Sequence, residues 1–203
     1  MRRCLQRIAW FFFLLLVVTL LILGLFRSRF VPVLCQLAQA RVKTTTSSLI
    51  ERAVSQQIAS GNIQYDRIVF FEKDVSGKIT ALKTNMLEVN RLKSTILEQI
   101  NEQILALDAS EIGVSIGSLL LPEVFAQKGP VIPVRVLALR NSGARFDSHF
   151  SQAGINQTLH QLHMVIQVEG TVLVLGQTVS FSVSSDVMVA ETVIVGDVPN
   201  SFS

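Results

Sequence analysis

Three histidines, His149, His160 and His163, are the side chains of this 203-residue sequence best suited to proton transfer or metal binding near neutral pH. His160 and His163 stand three apart and would share a face on a helix. The stretch that reads as helical there, 154–161, ends where a strand begins. A metal centre needs three or four ligands, and no cysteine or paired carboxylate stands at the usual spacing to complete one. The spacing therefore predicts surface or strand-end histidines, with no metal and no cofactor. H-E-x-x-H, the phosphate-binding G-x-x-x-x-G-K-S/T and G-x-G-x-x-G are missing from the sequence. Ser180, Ser182 and Ser184 alternate with Val179, Phe181 and Val183, as the polar face of a strand would. No catalytic residue is assigned, and the chain reads as a non-enzyme.

The elements that would carry these side chains follow an apolar stretch, IAWFFFLLLVVTLLILGLF at 8–26, which has no charge and is followed by Arg27 and Arg29. At about 1.5 Å per helical residue it covers about 28 Å, the thickness of a bilayer's hydrocarbon core. A cleaved signal peptide would have a shorter apolar core and small residues directly after it; here the nearest A-x-A triplet is Ala38, Gln39, Ala40. A buried core helix would carry a polar stripe. An uncleaved membrane-spanning helix is predicted. Arg2, Arg3 and Arg7 precede it, a narrow excess that places the N-terminus in the cytoplasm and the rest of the chain outside. The expected organisation is a cytoplasmic segment 1–7, a transmembrane helix 8–26, a juxtamembrane segment 27–40, an extracytoplasmic domain 41–198 and a tail 199–203.

The net charge of +3 misleads. Arg2, Arg3, Arg7, Arg27 and Arg29 flank the apolar stretch, and what remains is slightly acidic. Nucleic-acid binding needs clustered cations that displace counterions, so no nucleic-acid partner is expected. Cys4 and Cys35 lie on opposite sides of the span, too far apart for a disulfide.

Beyond the span, Leu34, Leu37, Ala38, Leu49, Ile50, Ala53, Val54 and Ile58 follow helical spacing, and Gly61 and Asn62 supply a stop. IVFFEKD and KITALKT around Ser76 and Gly77 predict a hairpin. Asn85 and Glu88 form a capping pair for a second amphipathic helix, with Val89, Leu92, Ile96, Ile100, Ile104 and Leu107 on its apolar face. From Ile112 the period changes to two. Residues 112–121 read as extended, 134–140 as a strand with Val134, Val136 and Ala138 on one face, and Asn141, Ser142 and Gly143 as a turn. Leu162, Met164, Ile166, Val168, Val172 and Val174, then Val179, Phe181, Val183, Val187 and Val189, outline two long antiparallel strands around Gly176. The fold class is α+β: one N-terminal transmembrane helix, then two amphipathic helices packed on a bent antiparallel sheet.

A single N-terminal anchor, G-P-x-I-P-V-R at 129–135, G-I-N-x-x-L at 154–159, a valine-rich hairpin and V-G-D-V-P at 195–199 together resemble the sporulation protein YunB family of endospore-forming Firmicutes. The likeness covers essentially the whole chain after the anchor; a shorter N-terminal cytoplasmic segment is the main departure. The resemblance implies a single-pass membrane protein of the mother cell, required for spore formation and without an established enzymatic activity. It supplies no catalytic or binding residues. Its domain is then expected to act through a protein partner or self-association in the forespore envelope, between the two membranes. Gly129, Pro130, Pro133 and Arg135 are a candidate partner-docking loop. The low charged fraction, 16%, also allows a lipid or apolar-ligand binding domain, with Ile166, Val168, Val179 and Phe181 as a candidate groove.

Overall fold

The computed structural model describes residues 2–77, 79–120, 129–154 and 156–195. Its first element is one helix, α1, Arg2–Ala59. The expected juxtamembrane segment 27–40 does not interrupt it, although Pro32 lies inside and has no N–H to give to the preceding turn. Leu34, Ala38, Val42, Thr46, Ile50 and Val54 are all buried, a stripe of residues four apart that meets the core along one side. Thr46 explains why the polar run at 44–48 does not break the helix: it continues the stripe, while Thr44 and Ser48 donate their hydroxyls to the carbonyls of Ala40 and Thr44. Gly61, at φ 72°, ends the helix. Its N–H meets the Ile58 carbonyl and the Asn62 N–H the Gln57 carbonyl, the paired bonds of a Schellman motif.

A short helix, α2, Tyr65–Ile68, leads into the predicted hairpin of β1, Val69–Lys73, and β2, Ile79–Thr84, which pair antiparallel. The turn is fixed by Asp74, whose side chain accepts from the Ser76 N–H at 2.8 Å. Helix α3, Met86–Leu105, is capped as expected: Asn85 accepts from the Glu88 N–H. Only half of the capping box forms, since the Glu88 carboxylate pairs with Arg91 and is held below its ordinary pKa by that hydrogen bond. Val89, Leu92, Ile96, Ile100 and Ile104 are buried.

Residues 112–120 depart from the expected extended run. Strand β3 is only Val114–Ser115, followed by a single turn of helix, α4, Gly117–Leu120; residue 121 lies outside the described residues. β3 pairs antiparallel with β4, Val131–Ile132.

The main sheet has three antiparallel strands in the order β5, Val134–Gly154; β6, Gln157–Val174; and β7, Gln177–Val195. The expected turn at Asn141, Ser142 and Gly143 is instead mid-strand in β5. Irregular pairing at 136–138 and 139–141 takes up Leu137 and Arg140 as extra residues, the signature of β-bulges, which bend a strand without ending it. The first bulge also reverses the expected alternation: Leu139 packs on the core and Ala138 is exposed. The predicted helix at 154–161 does not form, because Gly154 pairs with Gln157 and β6 begins at once. The β6–β7 turn is Leu175–Gly176, both at positive φ. The architecture is therefore α+β, a long apolar N-terminal helix with antiparallel sheets.

Candidate functional site

Two hydrogen bonds orient the sheet against α1. Near the start of β7, Gln39 Nε2 donates to the Ser180 carbonyl at 2.8 Å. Beyond the end of α1, Tyr65 Oη and His160 Nδ1 lie 2.6 Å apart, and His160 is the register partner of Thr192. From 39 to 65 the helical side thus follows β7 from 180 to 192, so β7 runs in the same sense as α1. The β6–β7 turn consequently faces the apolar end of α1, and the β5–β6 turn faces away from it.

The candidate docking loop lies at the first of these ends. Val134, the first residue of β5, pairs with Val174, next to the β6–β7 turn. Gly129, Pro130, Pro133 and Arg135 are all exposed beside it. Gly129 has φ 98°, and the Pro130 carbonyl accepts from the Ile116 N–H at 3.0 Å, so the loop is tied to β3 rather than free. Pro133 precedes β5 directly, where its missing N–H costs the ladder nothing.

The residues of the candidate apolar groove lie within the core. Ile166 and Val168 are fully buried, Phe181 nearly so, and Val179 packs partly buried against them. Phe181 sits on Gly170, its cross-strand partner. The open groove beside it, about 290 Å³, is lined mainly by polar groups: Gln39, Lys43, Arg140, Glu169, Ser180 and Ser182.

The histidines separate. His160, expected at the surface or a strand end, is fully buried on the same face of β6 as Leu162 and Met164. Its ring stacks on Phe150 at 4.4 Å and meets Tyr65 edge-on. Burial pushes the imidazole below its ordinary pKa, and burial together with the neighbouring Asp66 carboxylate pushes the Tyr65 phenol up to about 12. Both are therefore neutral at pH 7. Nε2 of His160 is buried without a hydrogen-bond partner among the described residues. His163, three residues on, occupies the other face of the strand, where Nδ1 lies 2.8 Å from Asp186 Oδ1 and the ring contacts His149. Period two rather than helical spacing makes His149 and His163 the neighbouring pair. Among the described residues no group of three or more His, Cys, Asp or Glu side chains is placed to hold a metal ion.

Sequence reasoning missed one motif, Gly113-Val114-Ser115-Ile116-Gly117, which has the G-x-S-x-G form of a nucleophile elbow. It even lies at a strand–turn–helix junction. A nucleophilic serine needs a base within hydrogen-bond reach, and Ser115 Oγ instead lies 2.7 Å from Ser118 Oγ. His149 stands 15 positions along β5 from Val134, or about 50 Å at the usual strand rise. Gly113 has a packing reason of its own: a Cβ there would stand 2.3 Å from Val131 Cγ1.

Among the described residues one helix, α1, is long and apolar enough to cross a membrane. Side chains along its apolar stretch are uncovered, from 41% exposed at Val17 to 70% at Trp10. The chain is thus an exposed apolar helix running without a break into an α+β domain. Residues 111–201 match the family described as sporulation protein YunB (Spo_YunB). The match begins just before β3 and takes in the whole main sheet, so it is shorter than the expected likeness, which reached back to the anchor. Neither the curated proteins nor the solved structures contain a match to the chain.

Proposed function

We propose that this is a noncatalytic sporulation protein, held in the membrane by residues 8–26, whose extracytoplasmic domain acts by binding a protein partner or a second copy in the forespore envelope. The observation that carries the reading is the continuity of α1: one helix supplies both the uncovered apolar stretch and the core stripe from Leu34 to Val54. The family match supports the sporulation role. In this reading α1 and α3 are the two amphipathic helices, packed on a sheet bent by the bulges in β5. The burial of Ile166, Val168 and Phe181 supports an interaction domain over a lipid carrier, whose groove would have to be open to its ligand. Tethering raises the domain's effective concentration for neighbours in the same membrane. The test is to export residues 30–203 without the anchor at the native level. Spore yield is expected to collapse, and an unchanged yield rejects the proposal.

A further inference from the structure

We infer that the β6–β7 turn, Leu175–Gly176, is a second membrane contact, its tip seated in the headgroup layer of the bilayer that holds α1. The inference rests on the anchor reading. β7 runs in the same sense as α1 and meets it where Gln39 binds the Ser180 carbonyl. Gly176 is four residues before Ser180, about 13 Å at the usual strand rise. That is about nine residues of helix, which brings the turn level with Phe30, just beyond the apolar stretch.

The helix itself agrees with this height. Leu34 is fully covered, and Phe30 and Val31 are half-buried, so the domain reaches down to the end of the apolar stretch with no spacer. What this end presents is apolar: Val33, Val131 and Leu175 are 45%, 49% and 58% exposed. Leu175 is also the less natural choice for its backbone. The first position of a two-residue turn with both φ positive favours Asn, Asp or Gly, yet a leucine stands there at φ 47°. An exposed leucine in a conformation that disfavours it is accounted for when its side chain leaves water for lipid. The turn itself carries no charge; the cations at this height, Arg27 and Arg29 on α1 and Arg135 on β5, stand against Asp108 and Glu111 on the segment whose Ala109 carbonyl accepts from the Val134 N–H. The contact therefore works by apolar insertion.

The full-length chain, reconstituted in phosphatidylethanolamine–phosphatidylglycerol vesicles, tests this through its single tryptophan, Trp10. In a Trp10→Phe background, Leu175→Trp is expected to be quenched by lipids brominated near the headgroup several-fold more than Ser151→Trp on the arm at the opposite end. Aqueous acrylamide should show the reverse order. Gln177→Trp, adjacent to the turn, serves as a second reporter that leaves the turn residues intact. Equal quenching at both ends overturns the inference, as does protection of the turn only when another protein is added. Trp10 in the unaltered chain separates the two readings. Unquenched by brominated acyl chains, it removes the anchor and the turn contact together; quenched while positions 175 and 177 are not, it removes the turn contact alone.

Discussion

Phe181 lays its ring directly on Gly170, its partner across β6 and β7: a Cβ at position 170 would stand 2.7 Å from Phe181 Cε1 and 2.9 Å from the Ala138 carbonyl oxygen. Three strands thus close over a position where only hydrogen fits. Gly170→Ala is expected to destabilise the fold by about 1–3 kcal/mol through overpacking. Thermal melting in detergent would show it as a lower melting temperature, and an unchanged melt would mean that the ring moves aside freely.

Tyr65 and His160 predict an acid limit. His160 is held below its ordinary pKa of 6.5 by burial, so the unfolded chain binds this proton more readily than the folded one. Its contribution is complete above about pH 6.5 and falls as the pH drops from there toward the folded value. Tyr65 has the opposite sense: raised from 10 to about 12, it weakens the fold as the pH rises through that interval. His160→Phe should flatten the loss of melting temperature between pH 7 and pH 5, and a slope identical to the unaltered chain would refute the assignment.

Leu175 couples stability to location. Leu175→Asn relieves a left-handed leucine and should stabilise the fold by about 1 kcal/mol. The same change removes the side chain assigned to the lipid. A variant that melts higher in detergent yet supports fewer spores would separate the two effects; equal or improved sporulation would detach Leu175 from function.

Ser115→Ala addresses the G-x-S-x-G motif. With Ser118 as its hydroxyl partner, the change should cost about 1 kcal/mol or less and leave spore yield at the unaltered level. A null phenotype in a fully folded Ser115→Ala protein would make Ser115 a nucleophile and overturn the noncatalytic reading.

The long, regular features were legible in the sequence: the apolar stretch from its length and lack of charge, the Asn85 cap from its residue type, and the α3 stripe from Val89 to Ile104 and the β6 face from Leu162 to Val174 from periodicity. The misses share a cause. Asn141, Ser142 and Gly143 are turn formers by composition, but pairing with Glu169, Val168 and Gln167 holds them in a strand, and bulges absorb the mismatch. The same tertiary override placed His160 inside, since Thr158 and Gln161 beside it are polar and Tyr65 and Phe150, distant in sequence, make the burial intelligible. The G-x-S-x-G motif was visible as letters, whereas the separation of Ser115 from His149 is a matter of distance, which the letters do not hold. The relation of the docking loop to the β6–β7 turn depends on the Val134–Val174 register, equally invisible before pairing.

A domain on a flexible stalk sweeps a hemisphere, whereas a domain built onto the shaft of its own anchor has a fixed standoff. With β6 spanning 18 residues, the turn at 154–157 stands about 60 Å from the turn at 175–176. With the lower turn at the bilayer, the upper one is carried at a set height and compass bearing, and any tilt of the shaft swings it like the tip of a lever. Whatever meets this protein must come to that altitude. Inserting Gly-Ser-Gly-Ser between Phe26 and Arg27 should leave anchor and domain folded while abolishing that alignment, and sporulation that survives the insertion would show that height is not what the helix provides.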